Sequence, residues 1–188
     1  MTASGAIQAG RVDADVETSS DAYAQRFSGR VGRWFLEVQA RVTSRILTAL
    51  PGRSRILDVG GGHGQLVDTA LDGGHQLTII GSDPGCGHRL AKWTEEGRLK
   101  FEIGNLLSLP YPDAAFDAVL CFRLMPHVDE EWPRLISELF RVSARLVIFD
   151  YPAAESGNFL AERLFASKTL FEGNHPPSRV FRRAKVDM

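Results

Sequence analysis

"ILDVGGGHGQLVD", residues 56–68, carries an apolar, strand-like segment into a glycine cluster and then into a helical pattern. A strand, a glycine turn and a helix in that order open a βαβ unit. What the glycines hold decides how the rest is read. A dinucleotide, a nucleoside triphosphate and a sulfonium cofactor are the ligands to separate.

Working outward, four more strand-like segments follow "SRILDV" (54–59): "HQLTIIGSD" (75–83), "LKFEIG" (99–104), "FDAVLCF" (116–122) and "ARLVIFDY" (144–151). Helical patterns lie between them. One carries Leu66, Val67, Ala70 and Leu71 and ends at "GG" (73–74). The others are "CGHRLAKWTEEG" (86–97) and "EEWPRLISELFRVS" (130–143), where Pro133 is tolerated in the first turn because its missing amide has no intrahelical partner. Upstream, Phe35, Val38, Val42, Ile46 and Ala49 recur at helical spacing, Trp34 and Leu50 widen the stripe, and "PG" (51–52) stops it. "ESGNFLAERLFASKTLF" (155–171) is a less cleanly patterned helix. Strands alternating with helices predict an α/β fold, an open, doubly wound, mostly parallel sheet with helices on both faces. Ligands of such sheets bind beyond the carboxyl ends of the strands, where the glycine loop sits. Residues 1–20 are small, polar and aperiodic and are expected to be a flexible tail, with one domain over 21–188.

The net charge of −1 argues against a dedicated nucleic-acid binder or a protein of anionic membranes. The local exception is "SRVFRRAK" (178–185), which reads as a solvated segment. Cys86 and Cys121, outside any CxxC pair, predict neither a zinc site nor a disulfide framework. No long apolar run or signal-like h-region occurs, so a cytoplasmic protein is expected.

The dinucleotide fingerprint G-x-G-x-x-G fails in both frames: Gly60 and Gly62 lead to Gln65, and Gly62 and Gly64 lead to Val67. The phosphate loop G-x-x-x-x-G-K-[ST] is absent. What stands here is Asp58-x-Gly60-x-Gly62-x-Gly64, with Gly61 between. A carboxylate at the strand end repels a pyrophosphate and suits a ligand with a cationic amino or sulfonium group. Glycines let a backbone approach a ligand closely, and a bare turn needs fewer of them.

This loop resembles the cofactor loop of class I S-adenosylmethionine-dependent methyltransferases. "GSDP" (81–84), "GNLLSLPYPDAAFDAVLCFRLMPHV" (104–128) and "RVSARLVIFDYP" (141–152) resemble further segments of that family in the same order, within its quinone-biosynthesis and small-molecule subgroup. The resemblance covers about residues 23 to 152. It implies a Rossmann-like sheet of strand order 3-2-1-4-5, S-adenosylmethionine as cofactor, a small-molecule acceptor and an activity of the EC 2.1.1 class. It implies that Asp58, Gly60, Gly61, Gly62 and Gly64 hold the methionine end. Asp83, followed by Pro84, would accept the ribose hydroxyls; its alternative is a turn residue. Asn105 stands where an aspartate often accepts the adenine amino group, and Leu106 would wall the adenine. Phe122 and Arg123 follow the fourth strand, where methionine moiety and substrate meet. His127 would be a general base for an acceptor hydroxyl, or else a helix-start residue packing beside Met125 and Pro126. Asp150 and Tyr151 are substrate-side candidates, Tyr23 and Phe27 a covering lid, and His63 a solvent-facing spacer.

The family sheet has seven strands, the last two a hairpin, and residues 152–188 show no further strand pattern. A missing hairpin leaves "RLVIFDY" (145–151) as an apolar edge, and self-association into a two-fold dimer is expected there. Two other readings stand beside a methyltransferase. One is a non-catalytic protein of the same fold, a pseudoenzyme or assembly subunit. The other is a nicotinamide-dependent oxidoreductase, which the failed fingerprint disfavours.

Overall fold

The computed structural model describes residues 14–151. Three helices come first: α1 (Ala14–Thr18), α2 (Asp21–Gln25) and α3 (Arg30–Leu47). Then β1 (Arg55–Val59), α4 (Val67–Asp72) and β2 (Gln76–Gly81) lead to a 3-10 helix over Pro84–Leu90 that continues as α5 (Ala91–Glu95). β3 (Leu99–Ile103) and β4 (Phe116–Cys121) precede two 3-10 turns, Met125–His127 and Asp129–Glu131; α6 (Trp132–Val142) and β5 (Ser143–Phe149) close the described chain.

The strands pair in parallel in the order β3-β2-β1-β4-β5, as the resemblance implied. Leu57 sits between Thr78 on β2 and Val119 on β4, and Val119 in turn faces Val147 on β5. The chain builds outward from β1 to β3 and then crosses back to β4. That reversal opens a crevice at the carboxyl ends of β1 and β4.

The period of two along each strand divides the core. Leu57, Val59, Val119 and Cys121 join one apolar cluster with Leu135, Leu139 and Val142 of α6. Ile56, Ile79, Ala118 and Leu120 join the other with Val67 and Ala70 of α4 and Leu47 of α3. Ile56 and Leu57 are both fully buried, so β1 is covered on each face. Burying such a side chain stabilises by about 1.5–3 kcal/mol.

The expected tail is contradicted from Ala14 onward. Asp15 is fully buried and accepts the Ser82 backbone N–H at 2.8 Å and the Ser82 hydroxyl. Thr18 donates its hydroxyl to the Asp15 carbonyl, and Ser20 caps α2 by accepting the Tyr23 N–H. The small polar residues that looked like a tail therefore have caps and a partner strand end to bond. The stripe on α3 also lies differently from a core face. Trp34 is 61% and Val42 50% exposed, while Thr43 and Leu47 point inward. β3 and β5 are the two edge strands of the described sheet, and the expected helix over 155–171 and missing hairpin lie outside the described residues. No helix among the described residues is long and apolar enough to cross a membrane.

Candidate active site

Gly60 ends β1 with its N–H donated to the Ile80 carbonyl and φ at +72°, a left-handed conformation that favours glycine. This turn lets the chain leave the sheet immediately after Val59, one residue beyond Asp58. Asp58 alternates onto the same face as Ile56 and lies buried at the strand end. Burial pushes its carboxyl up to about 7, and Arg123 opposes the shift. A Cβ on Gly61 would strike the Asp58 carboxylate, and one on Gly62 would strike the Ser19 hydroxyl and the Cys86 carbonyl. The close approach at Gly62 is thus made by the chain itself.

Across the crevice, Arg123 follows β4 in a left-handed conformation, φ +60°. Its backbone N–H is donated to Asp150 at the end of β5, whose other oxygen accepts from Gln39 Nε2 of α3 at 2.8 Å. Gln39 Oε1 accepts from Gln65 Nε2 at 2.8 Å, so a polar chain runs from the glycine loop through α3 to the segment after β4. The Arg123 guanidinium stands 5.0 Å from the Phe27 ring centroid and 5.7 Å from that of Tyr23, a cation over two aromatic faces. Burial lowers its pKa, yet its Nε and Nη1 have no hydrogen-bond partner among the described residues.

Asp58, Gly60, Gly61, His63, Gln65, Leu66, Phe122 and Arg123 line one cavity of about 10 Å³. His63 is the correction here: it is not a solvent-facing spacer. Both ring nitrogens are buried and have no partner among the described residues, the ring meets Phe27 edge-on at 6.1 Å, and burial lowers its pKa to about 4. Gln65 Oε1 is also buried without a partner. A buried carboxyl group faces a buried, unsatisfied guanidinium here, the complement of an ammonium and a carboxylate on one ligand. The donor set therefore fits an amino-acid moiety.

The other predicted residues, Gly62, Gly64, Asp83, Pro84, Asn105, Leu106 and His127, lie outside the lining of this cavity. Asp83 caps the 3-10 helix that starts at Pro84 by accepting the Gly85 N–H at 2.8 Å; its alternative as a turn residue is real, and its second oxygen remains for a ligand. Asn105 Oδ1 accepts the Leu107 N–H at 2.9 Å, with one lone pair to spare, and Leu106 is fully buried behind it. Gly64 turns the loop toward α4 with φ +75°. His127 stands outside the cavity lining. Its Nδ1 is 3.7 Å from Glu17 of α1, its ring meets Tyr23 edge-on at 6.2 Å, and burial lowers its pKa. Asp150 is a brace for Arg123 and α3, not an open group at the mouth. Asp15, Gln39 and Gln65 were missed. No local motif marks them, because their partners lie far away in the chain.

Residues 56–145 match a methyltransferase domain family. The chain is 35% identical over 113 residues to a demethylmenaquinone methyltransferase of Deinococcus radiodurans, covering 56% of this chain and 46% of that protein. It is 30% identical over 124 residues to a 27-O-demethylrifamycin SV methyltransferase of Amycolatopsis mediterranei, covering 61% and 46%. It thus spans a little under half the length of these curated relatives. The crystal structure of magnesium protoporphyrin IX methyltransferase from Synechocystis, with bound SAH, superposes with a TM-score of 0.71 at 20% identity, covering 92% of this chain and 83% of that one. That likeness is one of fold. Residues 56–145 thus match a methyltransferase domain, and the strand order of the described sheet is the Rossmann-like order of class I S-adenosylmethionine-dependent methyltransferases.

Proposed function

We propose that this protein transfers a methyl group from S-adenosylmethionine to a small-molecule acceptor. The observation that carries it is the pairing of buried Asp58 with the unsatisfied Arg123 guanidinium across one cavity. When bound, S-adenosylmethionine supplies an activated methyl on sulfur. Ionised Asp58 takes the ammonium of the methionine part, and Arg123 takes its carboxylate. The free oxygen of Asp83 accepts ribose hydroxyls beside Pro84. Asn105 accepts the adenine amino group against the wall of Leu106, and Phe122 closes the pocket floor. Tyr23 of α2 and Phe27 just beyond it lie over Arg123 and keep water out.

His127 accepts the proton of the acceptor. Its burial keeps the ring neutral near pH 7, the form that can take a proton. Alignment of acceptor, methyl and sulfur supplies much of the rate. A small-molecule acceptor is supported by the relatives named for demethylmenaquinone and demethylrifamycin SV. Two buried, free cysteines suit a cytoplasmic setting. The outer edge of β5, unpaired among the described residues, suits a two-fold pairing, which sedimentation at micromolar concentration tests.

Calorimetric titration with S-adenosylmethionine and S-adenosylhomocysteine tests the cofactor, followed by transfer of labelled methyl to a panel of small hydroxylated and amino acceptors. Binding of both ligands with turnover is expected. Binding without turnover would assign a non-catalytic member of the fold, and binding of NAD instead would overturn the reading.

A further inference from the structure

α1 does not trail past the sheet; it lies across the carboxyl ends of β1 and β2. Fully buried Asp15 receives the Ser82 N–H and hydroxyl, immediately before Asp83. A Cβ built on Gly60 would stand 3.4 Å from the Asp15 Cβ, and one on Gly81 would stand 3.2 Å from Asp15 Oδ2. Buried Ser19 fills the space over Gly62, and Ala14 packs against the cluster that holds Leu106, Leu124 and Met125. One short segment therefore touches the glycine loop, the end of β2 and the apolar wall after β3 together.

Those are the surfaces that, on the reading proposed above, hold ribose and adenine. The cavity of about 10 Å³ lies at the methionine end, and none of Asp83, Asn105 and Leu106 lines it. α1 itself fills the ground between Gly60, Gly81 and Ser82. α1 and a nucleoside thus compete for one groove. The two hydrogen bonds of Asp15 to Ser82 hold α1 there, and hydrogen bonds to a charged acceptor inside a protein are roughly twice as strong as neutral ones.

We propose that α1 is an autoinhibitory plug, held in the cofactor groove by Asp15 and Ser82, and that it must leave for a nucleoside to bind. The apparent affinity is then the intrinsic one reduced by the fraction of molecules with α1 displaced. The plug is specific to residues 14–19. Tyr23 of α2 and Phe27 just beyond it stay over the methionine end, so opening and covering are separate movements of adjacent segments.

The test uses the full chain and S-adenosylhomocysteine. Asp15→Ala, which removes both hydrogen bonds to Ser82, is expected to tighten binding by at least about ten-fold. In the wild type, amide exchange over 14–19 is expected to rise on adding the ligand while exchange over 60–64 falls. Unchanged or weaker binding by Asp15→Ala, or slower exchange over 14–19 with ligand, would overturn the plug and make α1 part of a cofactor-bound lid. The exchange experiment needs no variant, so it decides even if Asp15→Ala folds poorly. Asp83→Ala separates the two readings. If it weakens binding while α1 gains protection, the cofactor site stands and the plug falls. If Asp83→Ala changes nothing and neither segment responds, the cofactor site itself is misplaced and the plug falls with it.

Discussion

The Asp150 carboxylate accepts the backbone N–H of Arg123, holding a non-glycine residue in the left-handed conformation directly after β4. Left-handed backbone costs roughly 1–2 kcal/mol for such a residue, so the brace decides where the guanidinium points. Asp150→Ala removes the acceptor for Arg123 N–H and for Gln39 together. A stability loss of about 1–3 kcal/mol is expected in denaturant titration. Asp150→Asn, which keeps one acceptor oxygen, should recover part of it.

Arg123→Met keeps much of the stem over Phe27 and Tyr23 and removes the charge. S-adenosylhomocysteine affinity should fall by about ten- to hundred-fold, the range for a hydrogen bond to a charged group. 5′-Methylthioadenosine, which lacks the methionine carboxylate, should bind equally well to both proteins. Equal losses for the two ligands would place Arg123 away from the carboxylate.

Asp58 has a pKa near 7 without ligand, raised by burial. Taking up a ligand ammonium requires the ionised form, so binding releases a proton below that value. Affinity for S-adenosylhomocysteine should rise from pH 6 to pH 8 by an amount that Asp58→Asn abolishes. Calorimetry in buffers of different ionisation enthalpy reads the released proton directly.

Folding stability should show Asp58 and His63 working against each other. Native His63 has its pKa lowered to about 4 from 6.5, so between those values the unfolded chain binds the extra proton. Its contribution rises with pH across that window. Native Asp58 is raised from 3.8 to about 7, so there the native chain binds the extra proton and the contribution falls as pH rises. Relative to the wild type, His63→Gln should lose stability as pH climbs from 4 to 6.5, and Asp58→Asn should gain it. Melting temperatures at half-unit pH steps check both slopes.

Gly60→Ala should cost about 1–2 kcal/mol through backbone strain at φ +72°. Its new methyl would also meet Leu124 Cδ2 at 3.1 Å. A neutral result in urea titration would mean the loop relaxes freely around this turn.

The alternation of apolar strands with helical segments was enough to set an α/β sheet, because period and segment length are local properties of a chain. The position of Asp58 and Gly60 at the end of β1 was equally legible, as was Asp83 at the end of β2. Their chemistry depends on lying at a strand end, which the next few residues announce. The tertiary structure decided which polar residues are buried and what they bond. Asp15 and Ser82 are 67 residues apart, and Gln39 and Asp150 are 111 apart. A carboxylate in a small polar stretch reads as solvated until a distant N–H is brought to it. The same limit applies to His63, whose neighbours alone gave no sign of burial, and to α3. There periodicity identified the helix, but the placement of Gln39 opposite Gln65 and Asp150 fixed which face turns inward. Local sequence sets how a segment repeats. Only the packed fold supplies the partners that make burying a polar group tolerable.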